Sequence, residues 1–356
     1  MKTIHELTSR ERVLRAARRQ TPDRIPRIVQ LEDKVNERLV KQFGNQELKR
    51  MLNVDIADVF FQPVQARHDF SAYFSRPGVS WDEWGRGRLW DDQNHYAEYL
   101  YPLEKAESVD EILNYGWPAW DAPERWDQIR GQTDRYHFEG YAVSGAAEET
   151  VFEIAWQLRS MDRLFADIME EDEKAVLLLD KITEIRIEMA RQYARIGVDI
   201  LALGDDVAMQ NGLLMSPKMW RRWFRPRLER VIQAARAEKP DILIQYHSDG
   251  QINQLVPDLI AAGVDILNPV QPECVDHAWI KKEFGQQLSF SGGLGVQSVL
   301  PFGSPEEVRE HVRQTIEILG SGGGLIVGPS HVIEWDVSLE NIQAMLDAID
   351  VFGVYQ

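Results

Sequence analysis

The sequence predicts an α/β fold, a (β/α)8 TIM barrel formed by residues 1–356 as a single domain, and three observations lead there. Five short aliphatic runs in the second half alternate with longer segments of helical periodicity. Three further runs in the first half bring the total to eight, the number that closes a parallel barrel. Polar or ionisable residues follow these runs, and such a barrel gathers its chemistry at the ends of its strands.

In chain order the runs are 27–31, 57–61, 140–144, 199–204, 241–246, 264–268, 288–292 and 325–328. Runs of about five apolar residues fit strands buried on both faces under helices. The segments 217–237, 252–262, 275–284 and 304–319 can each present an apolar stripe to such a sheet. Ser304-Pro305-Glu306-Glu307 supplies an N-cap, a proline at the first helical position and acidic residues in the first turn. Residues 62–126 hold many of the aromatic residues, among them Trp81, Trp84, Trp90, Trp117 and Trp120. This stretch reads as a long elaborated connection near the barrel mouth.

Composition narrows the partners. With 44% hydrophobic residues the chain can build a large core, and a formal charge of −17 repels phosphate backbones and anionic lipid headgroups. Nucleic acid and membrane are not expected as partners. Cys274 is the only cysteine, which rules out an internal disulfide and a thiol-rich metal cage. The charged, helical N-terminus and the lack of a long apolar run predict a cytoplasmic protein.

The strand ends give the candidate residues. Glu32 follows the first run and Gln62 the second, and both are assigned to substrate binding with Asn268 and Gln271. Asp205 and Asp206 follow the fourth; neighbours on an extended backbone point apart, so one faces the axis while the other caps or braces a loop. Both stand as catalytic candidates with His331, which follows the last run. His247 and Asp249 have the i, i+2 spacing that turns two side chains to one side, and with Cys274 on the rigid loop "NPVQPEC" they form a candidate metal set. Each has a plainer alternative: Asp249 as a turn residue, Cys274 as a small buried hydrophobe, His331 as a loop brace. The glycines of "SGGLG" and "GGGLIVG" do not form a dinucleotide fingerprint, and no GxSxG, P-loop or HExxH is present.

The segments "RERVLRAARRQTPDRIP", "GVDILALGDDVAMQNGLLMSP", "YHSDGQINQLVPDLIAAGVDILNPVQPE" and "GGGLIVGPSHVIEWDVSLENIQAM" resemble the uroporphyrinogen decarboxylase superfamily. That superfamily includes corrinoid-linked methyltransferases, and the resemblance implies a (β/α)8 barrel with its active site at the C-terminal mouth. The arginine-rich signature of the decarboxylases is missing: "IPRIVQLEDKVNERL" puts Glu32 and Asp33 where cations would hold a polycarboxylate. The zinc methyltransferases have an H-x-C pair and a later cysteine; here His247-Ser248-Asp249 keeps the histidine, and Ser330 and His331 stand near the last strand. The resemblance therefore implies transfer of a methyl group from a small methoxylated or methylated compound to a corrinoid carried by a partner protein, with zinc as cofactor, in a homodimer. A metal-free decarboxylase of a smaller carboxylic acid is the alternative, and it requires an arginine in the pocket. A third reading keeps the barrel as a binding scaffold without catalysis.

Overall fold

The structure, a computed structural model, describes residues 6–61, 68–91 and 96–355. Seven parallel strands form one sheet in chain order: β1 (Ile56–Phe60), β2 (Ala142–Ala146), β3 (Ile200–Gly204), β4 (Leu243–His247), β5 (Ile266–Asn268), β6 (Ser289–Leu294) and β7 (Leu325–Pro329). Each strand pairs with its successor, as helical crossovers packed on the sheet require. The sheet curls into a half-barrel, and alternate side chains of its strands face one central cavity.

The expected first strand, 27–31, does not form a ladder. It meets the far edge of the sheet through isolated parallel bridges, Arg27 to Val327 and Leu31 to Ile333. On its other side the Asp55 amide donates to the Arg27 carbonyl at 2.9 Å, while the Arg27 amide is taken by the Asp55 carboxylate at 2.9 Å. A side chain thus intercepts the bond that a second strand would use.

The first residues of five strands, with Ile28 and Ile326, make an apolar floor. Ile28, Ile56, Ala142, Ile200, Leu243, Ile266 and Ile326 pack against Val13, Ala16 and Ala17 of the helix Ser9–Ala17. Burial of each large aliphatic side chain there contributes about 1.5–3 kcal/mol. The helix is held under the sheet by charge. Arg12 bonds Asp23 and the fully buried Asp55, and Asp55 also accepts from Arg24.

Other helices follow their sequence signals with local corrections. Ser304 closes a capping box with Glu307 on the helix Pro305–Leu319. The expected 217–237 helix is two helices, Pro217–Trp223 and Arg225–Glu238, because Pro226 has no N–H to continue the first. In the long connection, Ser80–Trp81, Gly87–Asp91 and Tyr96–Leu100 form a small antiparallel sheet. Trp84, Phe70 and Tyr115 are buried beside it, whereas Trp90 stays 62% exposed. Among the described residues no helix is long and apolar enough to cross a membrane.

Candidate active site

Above the apolar floor the inward positions turn polar. Gln30, Asp58, Ser144, Gln245 and Asn268 line a cavity of about 220 Å³, and Glu148, His247, Ser330 and His331 stand around it. Asp58 receives a hydrogen bond from Gln30 Nε2 at 3.0 Å. Burial raises its pKa, and the bonds from Gln30 and Ser144 offset only part of that rise.

The loops after β3 and β4 are laced into one unit. The Asp205 amide donates to the His247 carbonyl at 3.1 Å, and the Asp249 amide to Asp206 Oδ1 at 2.8 Å. This approach needs Gly204: a Cβ there would lie 2.5 Å from the His247 carbonyl oxygen. His247 Nδ1 meets Asn268 Oδ1 at 2.6 Å, while Asn268 Nδ2 donates to the Ser291 carbonyl at 3.3 Å. That orientation of the amide leaves a protonated Nδ1 as the donor and turns Nε2 toward the carboxylates. Nε2 lies 3.7 Å from Asp206 Oδ1 and 3.9 Å from Asp249 Oδ1. Among the described residues, Asp206, His247 and Asp249 form a group whose donor atoms all lie within 4.8 Å of one another.

The site is acidic. No lysine or arginine is among the described residues lining the cavity. Burial alone would lower the pKa of His247, yet Glu148, Asp249 and Asp206 with the Asn268 bond outweigh it and raise the imidazole. Burial raises Glu148, with His247 opposing and neighbouring carboxylates adding to the rise. Asp249 is raised in the same way, by burial against the pull of His247. The neighbouring carboxyl of Glu153, buried against Asp205 and Asp206, is pushed up to about 9. Carboxylates crowded in this way favour either protons or a cation.

Residues 149–352 match the sequence profile described as uroporphyrinogen decarboxylase (URO-D). The chain belongs to the uroporphyrinogen decarboxylase family. This URO-D family chain is 26% identical over 197 residues to a methylated-thiol–coenzyme M methyltransferase of Methanosarcina mazei, covering 55% of this chain and 50% of that protein. It is 28% identical over 174 residues to a methylcobamide:CoM methyltransferase of Methanosarcina barkeri, covering 49% and 48%. The matches thus span about half the length of these two relatives. A uroporphyrinogen decarboxylase of Legionella pneumophila is 24% identical over 355 residues, covering 94% and 95%. A solved methyltransferase from Methanosarcina mazei has the same fold, with a TM-score of 0.68, 20% identity and coverage of 98% and 99%.

Within this URO-D family chain, the residues expected from sequence fall into two groups. His247, Asp249, Asp206 and Asn268 come together, and His331 stands exposed at the same cavity. Gln271 is buried, accepts from the Gly250 amide at 3.2 Å and shares a second cavity with Asp249 and His331. Three expected residues lie elsewhere. Asp205 receives the amides of Val151 and Glu153 and so caps the helix Phe152–Arg159 instead of facing the cavity. Glu32 caps the helix Asp33–Phe43 through the Val35 amide. Cys274 is buried outside the three-residue group, and its thiol is pushed up by burial and by Glu273 and Asp249, which disfavours a thiolate ligand. Gln62 lies outside the described residues. Asp58 is not foreseen from the sequence, whereas Glu148 belongs to the stretch 145–149 that follows the third run. Asp58 had a signal, a lone carboxylate two residues after Ile56 on the inward phase of an apolar strand.

The group fits a divalent cation. It offers one imidazole nitrogen with a fixed tautomer, two carboxylates and uncompensated negative charge, and three protein donors leave room for a further ligand.

Proposed function

We propose that this protein transfers a methyl group from a small methoxylated or methylated compound to the corrinoid of a partner protein, with zinc at the His247, Asp206 and Asp249 group. The observation that carries the reading is that group, whose His247 lines a cavity with Asp58 and Glu148 and with no lysine or arginine among its described lining residues. The methyl-transferring relatives support the direction.

Zinc bound there supplies a Lewis acid to the atom that gives up the methyl group. The residues of the chain do the rest. Asn268 keeps Nε2 of His247 free to bind, and Asp249 gives its amide to Asp206 and so fixes the carboxylate. For a methyl ether, the methyl C–O bond breaks with its electron pair left on oxygen, and the methyl goes to a cobalt(I) corrinoid. Glu148, whose pKa burial raises, then gives its proton to that oxygen.

The decarboxylase alternative is weaker because a carboxylate substrate needs a cation. Arg27, the nearest sequence candidate, is buried and bonded to the Asn53 carbonyl and Asp350.

Elemental analysis of untagged protein tests the reading. About one zinc per chain is expected, lost in His247→Ala and in Asp206→Ala. Zinc-loaded wild type should then methylate cob(I)alamin from a methyl ether. A zinc-free wild type that decarboxylates an acid after zinc has been supplied would replace methyl transfer with the lyase.

A further inference from the structure

A further cavity, of about 520 Å³, lies between the long connection and the ends of β1 and β2. It shares Phe60, Ala146 and Glu148 with the central cavity, so Glu148 lines both. Phe60, Phe61, Trp81, Trp84 and Met189 supply its apolar wall. Phe60 and Trp81 keep 53% and 38% of their surface exposed, which leaves ring surface accessible at the cavity.

The charges on the wall are already committed. Arg86 pairs with Asp82 and Glu149 and also bonds Gln157. Arg186 donates to the carbonyls of Glu148, Glu149 and Thr150, and its guanidinium lies over the Trp84 ring at 5.3 Å. Glu83 is held by Arg125. Both lining arginines are thus occupied, and four lining carboxylates (Asp82, Glu83, Glu148, Glu149) outnumber them. Among the described lining residues an anionic ligand would find no free cation and a net negative wall.

We infer that this chamber binds the ring of an uncharged methoxyarene against Trp81 and Phe60, with the ether oxygen directed to Glu148 at the junction of the two cavities. The volume lies in the range of ordinary small-molecule sites, and aromatic walls with few free polar groups select a flat apolar body. The inference rests on the methyl-transfer reading for its reaction, whereas its binding claim stands apart from it.

Tryptophan fluorescence and calorimetry on the full chain would measure the binding of 2-methoxyphenol, 3-methoxybenzoate and 1,2-dimethoxyethane. The expected result is that 2-methoxyphenol binds at least about tenfold more tightly than the other two ligands. Trp81→Ala and Phe60→Ala, which remove exposed side chains, should each weaken it by about three- to tenfold. Equal binding of 1,2-dimethoxyethane to wild type overturns the inference without any variant. So does unchanged affinity in both variants, or tighter binding of the benzoate. If 2-methoxyphenol binds as expected but zinc-loaded protein never methylates cob(I)alamin, methyl transfer fails and the chamber stands. If aliphatic donors are demethylated while 2-methoxyphenol does not bind, the chamber fails and methyl transfer stands.

Discussion

His247 shows how much a single hydrogen bond can decide. Its Nδ1 bond to Asn268 and the Asn268 bond to Ser291 leave the ring one orientation, so Asn268→Ala should weaken zinc binding by about 10–100-fold, read by competition with a chelating dye. Cys274→Ala should keep its zinc, because the thiol lies outside the three-residue group. The same histidine sets a pH dependence. Its pKa is raised by the surrounding carboxylates, and a proton on Nε2 competes with the metal. Zinc affinity should therefore climb with pH until the imidazole has lost that proton, and a flat profile from pH 6 to 8 in titration calorimetry would contradict Nε2 ligation. At this scale the sequence was only partly legible. The i, i+2 spacing of His247 and Asp249 could be read directly, but nothing local tells Asp206 from Asp205. Which of them caps a helix depends on where Val151 and Glu153 arrive in space.

The helix Ser9–Ala17 owes its place to ion pairs as much as to apolar contact. Asp55 is fully buried between Arg12 and Arg24, and Asp55→Ala should cost about 3–5 kcal/mol in urea unfolding because it strands buried cations. Burial alone would raise Asp23, but its bonds from Arg12 and from the Arg24 and Leu7 amides hold it at about 2, below its ordinary 3.8. A depressed carboxyl stabilises the native state above its unfolded pKa, and that stability is lost as pH falls through the folded value. Wild type should therefore weaken as acid is added from about pH 4 toward 2. Asp23→Asn should already be weaker at pH 7, by about 1–3 kcal/mol, and flatter over the acid limb of a melting series. The strands were easier to foresee than the junctions. Runs at 199–204, 241–246 and 325–328 lie over Ile200–Gly204, Leu243–His247 and Leu325–Pro329, because a strand covered on both faces is apolar at most positions. The 27–31 run, Arg-Ile-Val-Gln-Leu, is also rich in aliphatic residues, yet it makes single bridges, since its partner is a carboxylate on another segment.

For the whole molecule, the surplus of negative charge and the apolar residues left in water both bear on the proposed partner. Trp335, soon after β7, is 73% exposed, and Met209, in the short hairpin after β3, is 57% exposed. Exposed tryptophans are frequent anchors of protein interfaces. Trp335→Glu should slow methyl transfer to a corrinoid protein by about thirtyfold, the loss of a hot spot worth about 2 kcal/mol, while free cob(I)alamin reacts as before. Equal slowing of both acceptors in a stopped-flow assay would move Trp335 from the interface to the pocket. The apolar floor beneath the cavity has a further meaning for traffic. Val13, Ala16 and Ala17, packed under the strands, close the end of the sheet beneath the cavity. On the proposed methyl transfer, two reactants meeting above that floor would queue. The donor goes in before a bulky acceptor covers the opening, and the spent donor waits behind that acceptor until it leaves: last in, first out.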